Sequence, residues 1–375
     1  MVKSVLSEDH WYLLDNPDQV SSPGLLIYPE RIKENIRRML KIAGDAGMLR
    51  PHVKTHKMPE IIRMQMNAGI FKFKCATISE AEMVAACGAK DILLALQPVG
   101  PNLARFFHLR EEYRESNISC IADSGEVISR LSERAVRTGL ETGVWLDVNN
   151  GTDRTGVEPG ENAMYLAKKI SGMPMLKFKG LHVYDGHIRE KDIARREEIC
   201  NNSFAPLVSM IGRLKNEGIG HPGIVAGGTS TFPVHSRRHG VECSPGTPVL
   251  WDVGYSTSFP DIDFLYAAVL FTRIISRPAK NLICLDLGYK AVASEMPQPR
   301  VILFGIKDYD IISHSEEHLV IRTNEADSLR TGDHFYGLPW HICPTVDRFD
   351  SVSVVNERSV TGQWNVTARN RKITI

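Results

Sequence analysis

The sequence predicts an α/β protein: a TIM-like (β/α)8 barrel followed by a mainly-β domain. Three observations carry this. Between residues 23 and 228, short apolar runs alternate with segments of helical spacing, giving eight strand–helix units over about 200 residues. No G-x-G-x-x-G follows the first run, which disfavours an open dinucleotide-binding sheet. Beyond about residue 240 helical periodicity becomes scarce, and strand-like runs separated by turn residues take over.

The eight apolar runs cover 24–28, 51–54, 72–76, 91–96, 118–122, 143–148, 178–183 and 223–226. The first helix opens at Pro29-Glu30 and continues through Ile32, Ile36, Met39, Leu40 and Ala43 at helical spacing. Thr77-Ile78-Ser79-Glu80 carries a capping residue and an early acid, and Ser124-Gly125-Glu126 and Gly160-Glu161 have a similar form. The longest helix falls within 189–217 and ends before Gly218. In the second half, strands are expected at 264–275, 281–285, 300–305, 308–312, 318–322 and 351–357. The expected division is a barrel over 22–245 and a β domain of 1–21 with 246–375, because Trp11-Tyr12-Leu13-Leu14 is too apolar for a free tail.

Composition narrows the class. The chain has 375 residues, 43% hydrophobic and 24% charged, enough to bury a large core. A net charge of +1 gives no sign of a nucleic-acid or membrane surface. No apolar run has the length of a membrane span, and the first residues lack the apolar core of a signal peptide. The seven cysteines are scattered without a C-x-x-C, as expected of reduced thiols in the cytoplasm.

In a barrel of this kind, working side chains sit at the C-terminal ends of strands. Lys54 lies there, within Arg50-Pro51-His52-Val53-Lys54-Thr55-His56-Lys57. A buried lysine is costly unless it has a task, and one such task is a Schiff base with a carbonyl cofactor. Asn149 and Asn150 follow another run and lead into Gly151-Thr152-Asp153-Arg154-Thr155-Gly156, where Arg154 could offer its planar fork to a phenolate or carboxylate. Tyr184, Asp185 and His187 follow the next run. Gly227-Gly228-Thr229-Ser230-Thr231 closes the last, and such a turn is either a flexible connection or a phosphate cradle. Tyr255 lies just past the barrel, where it either reaches a cofactor or packs. Far downstream stands His341-Ile342-Cys343. In an extended segment the two outer side chains share a face, and imidazole with thiolate suits zinc.

Taken together, the Arg-Pro-His-Val-Lys-Thr-His-Lys segment and the His-x-Cys-Pro-Thr-Val segment resemble the D-threonine aldolase and D-serine dehydratase group. That group belongs to the alanine-racemase-like (fold type III) pyridoxal phosphate enzymes, and the resemblance runs from about residue 22 to 347. It implies a pyridoxal 5'-phosphate cofactor bound covalently by Lys54. Arg154 would donate to the phenolic oxygen, and Gly227, Gly228 and Thr229, with Tyr255, would hold the phosphate. Tyr184 would lie beside the ring. His341 and Cys343 match the metal pair of the dehydratases, with Zn2+ expected and Mn2+ the alternative. The aldolases of the group carry His-x-Asp there, so Cys343 tilts the reading toward dehydration.

The resemblance therefore implies a metal-assisted lyase acting on small D-3-hydroxy amino acids. A D-serine dehydratase-like reaction, giving an oxo acid and ammonia, comes first. D-threonine aldolase-like cleavage to glycine and an aldehyde, with His52 or His187 as base, comes second. An amino-acid racemase and a non-catalytic pyridoxal phosphate homeostasis protein are the further alternatives. A homodimer is expected from the resemblance alone.

Overall fold

In the computed structural model of the chain, residues 10–220 and 222–372 are described. Expectations that fall on residues 1–9, including their place in the β domain, lie outside the described residues. The chain divides into two compact units: one runs up to Ile36 and includes Thr247–Thr367, and the other is Arg37–Gly246 with the residues from Ala368 on.

The second unit contains the barrel. Seven parallel strands follow one another in chain order: Lys72–Cys75, Asp91–Leu94, Asn117–Ala122, Thr142–Val148, Leu176–Val183, Gly223–Ala226 and Val241–Cys243. Parallel bridges Leu49–Cys243 and His52–Lys74 place the segment 49–52 between the last strand and the first, as the eighth position. Arg50 N donates to Cys243 O at 2.8 Å and Lys74 N to Pro51 O at 2.9 Å, which closes the ring.

The expected run at 24–28 is not a barrel strand. Gly24–Ile27 pairs antiparallel with Ala268–Ala279 and parallel with Ser351–Asn356, inside the sheet of the other unit. Its apolar character followed by a helix start fits either location, so the sequence signal was ambiguous. The barrel instead takes its last strand from Val241–Cys243. Each strand-end residue consequently shifts by one position: Lys54 follows the first position, and the glycine turn follows the seventh.

The barrel unit buries an arginine and an apolar cluster. Arg50, only 1% exposed, donates through Nε to Glu242 Oε2 and through Nη1 to Asp91 Oδ1, both at 2.7 Å. Paired charges of this kind are tolerated in a core because neither is left uncompensated. Leu93, Ile121, Trp145 and Val225 form a buried cluster, and Trp145 Nε1 donates to Ser119 Oγ at 3.1 Å. A side chain on Gly180 would come within 2.0 Å of Gly223 O, so the approach of these strands requires glycine there.

Helical expectations hold closely. Pro29–Ala43 opens as predicted, and Thr77 caps Ile78–Ala86 by accepting from Glu80 N at 3.2 Å. Glu80 Oε2 in return accepts from Ala76 N at 2.6 Å. The longest helix is Ile193–Asn216, with Pro206 inside it. No helix among the described residues is long and apolar enough to cross a membrane.

The other unit is a nine-stranded sheet. Five expected runs appear at Leu282–Leu285, Val301–Phe304, Tyr309–His314, Leu319–Thr323 and Ser351–Asn356, and the sixth is displaced to Ala268–Ala279. His334–Pro339 and Ser359–Asn365 were not expected as strands. Tyr12 packs its ring on Phe304 and Tyr336, and Leu14 N donates to Tyr336 Oη at 3.0 Å, so this stretch belongs with the sheet. The seven cysteines are all free thiols.

Candidate active site

Lys54 sits in a short 3-10 turn, Val53–Thr55, that ends the first barrel position. His52 Nδ1 accepts from Lys54 N at 3.4 Å and fixes the turn. Lys54 and His52 line a cavity of about 330 Å³ together with Lys74, Asp147, Arg154, His182 and Tyr184. The Tyr184 ring is the focus of its cations: Arg154 lies 4.6 Å from the ring centre, Lys74 5.7 Å and Lys54 5.8 Å.

The loop bearing Arg154 is folded by its own sequence. Asn149 Oδ1 accepts from Gly151 N and Asp153 N, both at 3.1 Å. Val157 then bridges back to Val148. Gly156 adopts φ +95°, and a side chain there would meet Asn149 N at 2.6 Å, so the return depends on glycine. Thr152 Oγ1 donates to Tyr184 O at 2.7 Å and lies 3.0 Å from His187 Nδ1. His187 itself is exposed, whereas His52 is buried. Burial, reinforced by the charges of Lys54, Lys74, His182 and Arg154, pushes His52 well below the usual imidazole range, so it is a neutral acceptor.

The glycine turn is buried. Gly227 N donates to Val183 O at 2.9 Å, and Gly228 N to Thr231 Oγ1 at 3.2 Å. Thr231 Oγ1 in turn donates to Asp185 Oδ1 at 2.7 Å, and His235 Nε2 bonds Asp185 Oδ2 at 2.6 Å. Gly227 has φ +76°, and a side chain there would lie 2.7 Å from the His235 ring. Burial alone would raise Asp185, but the bonds and charge of His235, with Thr231 and His187, outweigh it and hold the carboxyl low. His235 is pushed up to about 9, because its bonds to Asp185 and Cys200 overcome burial. Asp185, Cys200 and His235 are the one trio of metal-ligating side chains found within 4.8 Å of one another among the described residues. Their mutual hydrogen bonds read as a buried ion pair with a thiol beside it.

The residues present fit pyridoxal phosphate. Lys54 lines a cavity of about 330 Å³, the Tyr184 ring stands beside it, and the lining sets Lys54, Lys74 and Arg154 against Asp123 and Asp147. Ser244 Oγ is buried without a hydrogen-bond partner, and Ser244 N bonds Ala226 O, which sets an unused hydroxyl beside the glycine turn.

The His-x-Cys pair lies in the other unit, and its backbone corrects the extended reading. His341 stands at the N-cap position of a short helix, Ile342–Val346, without a side-chain cap bond, and Cys343 occupies its first turn. His341 Nδ1 contacts Glu295 Oε1 at 2.5 Å, and Ile342 N donates to Asp252 Oδ2 at 3.0 Å. Burial would lower His341, but bonding and charge from Cys343, the charge of Asp252 and the bond to Glu295 raise it to about 9. Cys343 Sγ lies 3.8 Å from Thr247 Oγ1. Tyr255, in the helix Val253–Ser258, stacks near Trp251 and Phe259 at 5.7 and 5.6 Å within this same unit.

Sequence reasoning missed Lys74, His182 and Asp147. The available signal was alternation: residues 72 and 74 share a face of one strand, as do 180 and 182. Lysines inside such a run read as solvated by default.

A closed parallel barrel with a lysine at the end of its first position, joined to a β domain, is the architecture of the alanine-racemase-like pyridoxal phosphate enzymes. The comparison with known families agrees. Residues 27–249 match the alanine racemase N-terminal domain, and 267–355 match a putative serine dehydratase domain. The chain belongs to the alanine racemase N-terminal domain family. D-threonine aldolase from Arthrobacter sp. is 29% identical over 360 residues, covering 94% of this chain and 93% of that protein. The crystal structure of D-threonine aldolase from Filomicrobium marinum superposes with a TM-score of 0.87 at 25% identity, over 94% of this chain and 96% of that one. A cysteine-to-alanine mutant of D-threo-3-hydroxyaspartate dehydratase in the metal-free form has the same fold, with a TM-score of 0.81 at 21% identity over 93% and 98%. Three further relatives are also aldolases and dehydratases, which places this chain among the pyridoxal-phosphate-dependent lyases.

Proposed function

We propose that this protein is a metal-assisted lyase for D-3-hydroxy amino acids, with dehydration to an oxo acid and ammonia as its leading reaction. The observation that carries this is His341 with Cys343, backed by Glu295 on the imidazole's Nδ1. A carboxylate on one ring nitrogen fixes the tautomer that presents the other to a metal.

Pyridoxal phosphate, bound by Lys54, supplies an electron sink for a bond breaking at the substrate's α-carbon. A divalent metal, with zinc the expected ion for imidazole plus thiolate, would be held by His341 and Cys343 and would polarise the 3-hydroxyl. The chain's own groups do the rest. Lys54 Nζ, once released, takes the α proton. Arg154 would donate to the phenolic oxygen, and Tyr184, whose ring centre lies 4.6 Å from the Arg154 guanidinium, would lie beside the cofactor ring. Gly227, Gly228 and Thr229 shape the phosphate end, with the Ser244 hydroxyl as a further donor. His52 Nδ1, neutral and buried, holds the Lys54 turn.

Aldol cleavage is the second reading, favoured by the relative that is 29% identical over nearly the full chain. In that case a base, His52 or the exposed His187, removes the 3-hydroxyl proton. Incubation with D-serine, D-threonine and D-threo-3-hydroxyaspartate separates the two. Oxo acid plus ammonia supports dehydration, and glycine plus an aldehyde supports cleavage. Turnover that survives complete chelation would sink the metal assignment. A protein that gains no visible absorbance with pyridoxal phosphate would sink the whole reading.

A further inference from the structure

Lys72 and Lys74 share one face of the strand Lys72–Cys75, yet only one of them is neutralised. Lys72 reaches Glu242 Oε1 at 2.5 Å and Gly47 O at 2.9 Å. Lys74 is 2% exposed, and among the described residues no carboxylate lies within ion-pair distance of it. Its Nζ lies 3.5 Å from His182 Nε2, and His182 Nδ1 is in turn bonded to Asp147 Oδ1 at 2.7 Å. Lys74 Nζ faces the cavity, 5.7 Å from the Tyr184 ring. An ammonium buried without a counter-ion is expensive, and a site that keeps one has a use for it.

The charges around Lys74 come from several elements: Lys54, His52, Arg154 and His182 on one side of the balance, Asp147 and Asp185 on the other. Burial first, and then Lys54, bring Lys74 down to about 7, while Asp147 and Asp185 pull the other way. The protein's own groups therefore hold Lys74 at the edge of losing its proton. An anion entering the cavity favours the charged form.

We propose that Lys74 is a positioning residue for the anionic cofactor, taking up a proton from solvent as the cofactor enters and losing it when the cofactor leaves. The His182–Asp147 pair orients it. The inference rests on the pyridoxal phosphate reading and deepens it: Lys54 supplies the covalent link, and Lys74 supplies the charge that makes uptake pH-dependent.

Calorimetry on cofactor-stripped full-length protein tests this, using pyridoxal phosphate as titrant in two buffers of different ionisation enthalpy. At pH 8.5 the wild-type protein takes up about one proton more than Lys74→Met, and at pH 6 the difference vanishes because Lys74 is already charged. At pH 6 the Lys74→Met variant binds roughly tenfold more weakly, the scale of one lost charge-assisted contact. Lys74→Arg keeps the affinity and loses the proton uptake, since guanidinium stays charged throughout. Equal proton uptake by wild type and Lys74→Met at pH 8.5, with binding intact, overturns this inference alone. No binding by the wild-type protein at either pH overturns the pyridoxal phosphate reading with it.

Discussion

The barrel cavity and the His341–Cys343 pair are built on opposite plans. The cavity gathers its groups from the ends of several barrel positions, and many of those groups are buried: His52, Lys74, Asp147 and His182. The pair comes from one short turn, with a histidine at the N-cap position of a helix and a cysteine in its first turn, both partly exposed. Residues on many strands make a rigid receptacle whose geometry depends on the whole fold. Residues on one turn make a ligand set that a single substitution can retune. In the proposed reading the first region defines the cofactor and the second decides which bond breaks.

The largest expected effect tests the cavity. Lys54→Ala should lower turnover by roughly 10³-fold or more and leave pyridoxal phosphate unattached after borohydride reduction, as read by mass spectrometry. Next, Glu295→Gln should weaken metal binding by about 10–100-fold, measured by competition with a coloured chelator, while the visible absorbance of the cofactor stays. Loss of that absorbance as well would break the division between the two regions. A sharper version is Cys343→Asp, which keeps a metal-binding pair and should move the product ratio from oxo acid toward glycine, measured by chromatography.

The glycine turn offers a test on stability. Asp185→Asn breaks a buried ion pair and should cost about 3–5 kcal/mol, measured by chemical denaturation. The pH dependence has a definite sign. His235 is raised from 6.5 to about 9, so its contribution is complete below pH 6.5 and is lost as pH rises through 9. Asp185 is held below 3.8, so its contribution is present above that value and is lost in stronger acid. The gap between wild type and variant should therefore be widest near pH 5–6 and shrink above pH 9. The smallest effect is expected from Gly186→Ala: a side chain there would lie 2.1 Å from Tyr184 Oη, so the ring must turn. Cofactor affinity should fall a few-fold, with folding retained.

How far the sequence reached differs between the two regions as well. Lys54 and Arg154, which line one cavity, could be singled out in the sequence because a lysine and an arginine at the ends of apolar runs stand out against their surroundings. The strand numbering was not, because Gly24–Ile27 has the apolar pattern of a barrel strand and only its pairing partners, Ala268–Ala279 and Ser351–Asn356, reveal where it belongs. The strand Val241–Cys243 is three residues long, too short for alternation to register. Lys74 was hidden by its neighbour: Lys72 and Lys74 look alike in the chain, and only the distance to Glu242 separates a neutralised lysine from one facing a cavity. His341 and Cys343 were singled out by residue type, and their backbone is a helix turn and not the extended strand that was expected.

The position of Gly24–Ile27 also bears on the order of events at the ribosome. This strand is among the first to be made, yet both of its partners lie beyond residue 267, and one begins at Ser351. All the barrel strands are synthesised in the interval. Arg37–Gly246 can therefore collapse on local strand–helix contacts while the leading strand still lacks anything to pair with. During that wait, Leu25, Leu26 and Ile27, all but inaccessible in the finished fold, are exposed on the nascent chain.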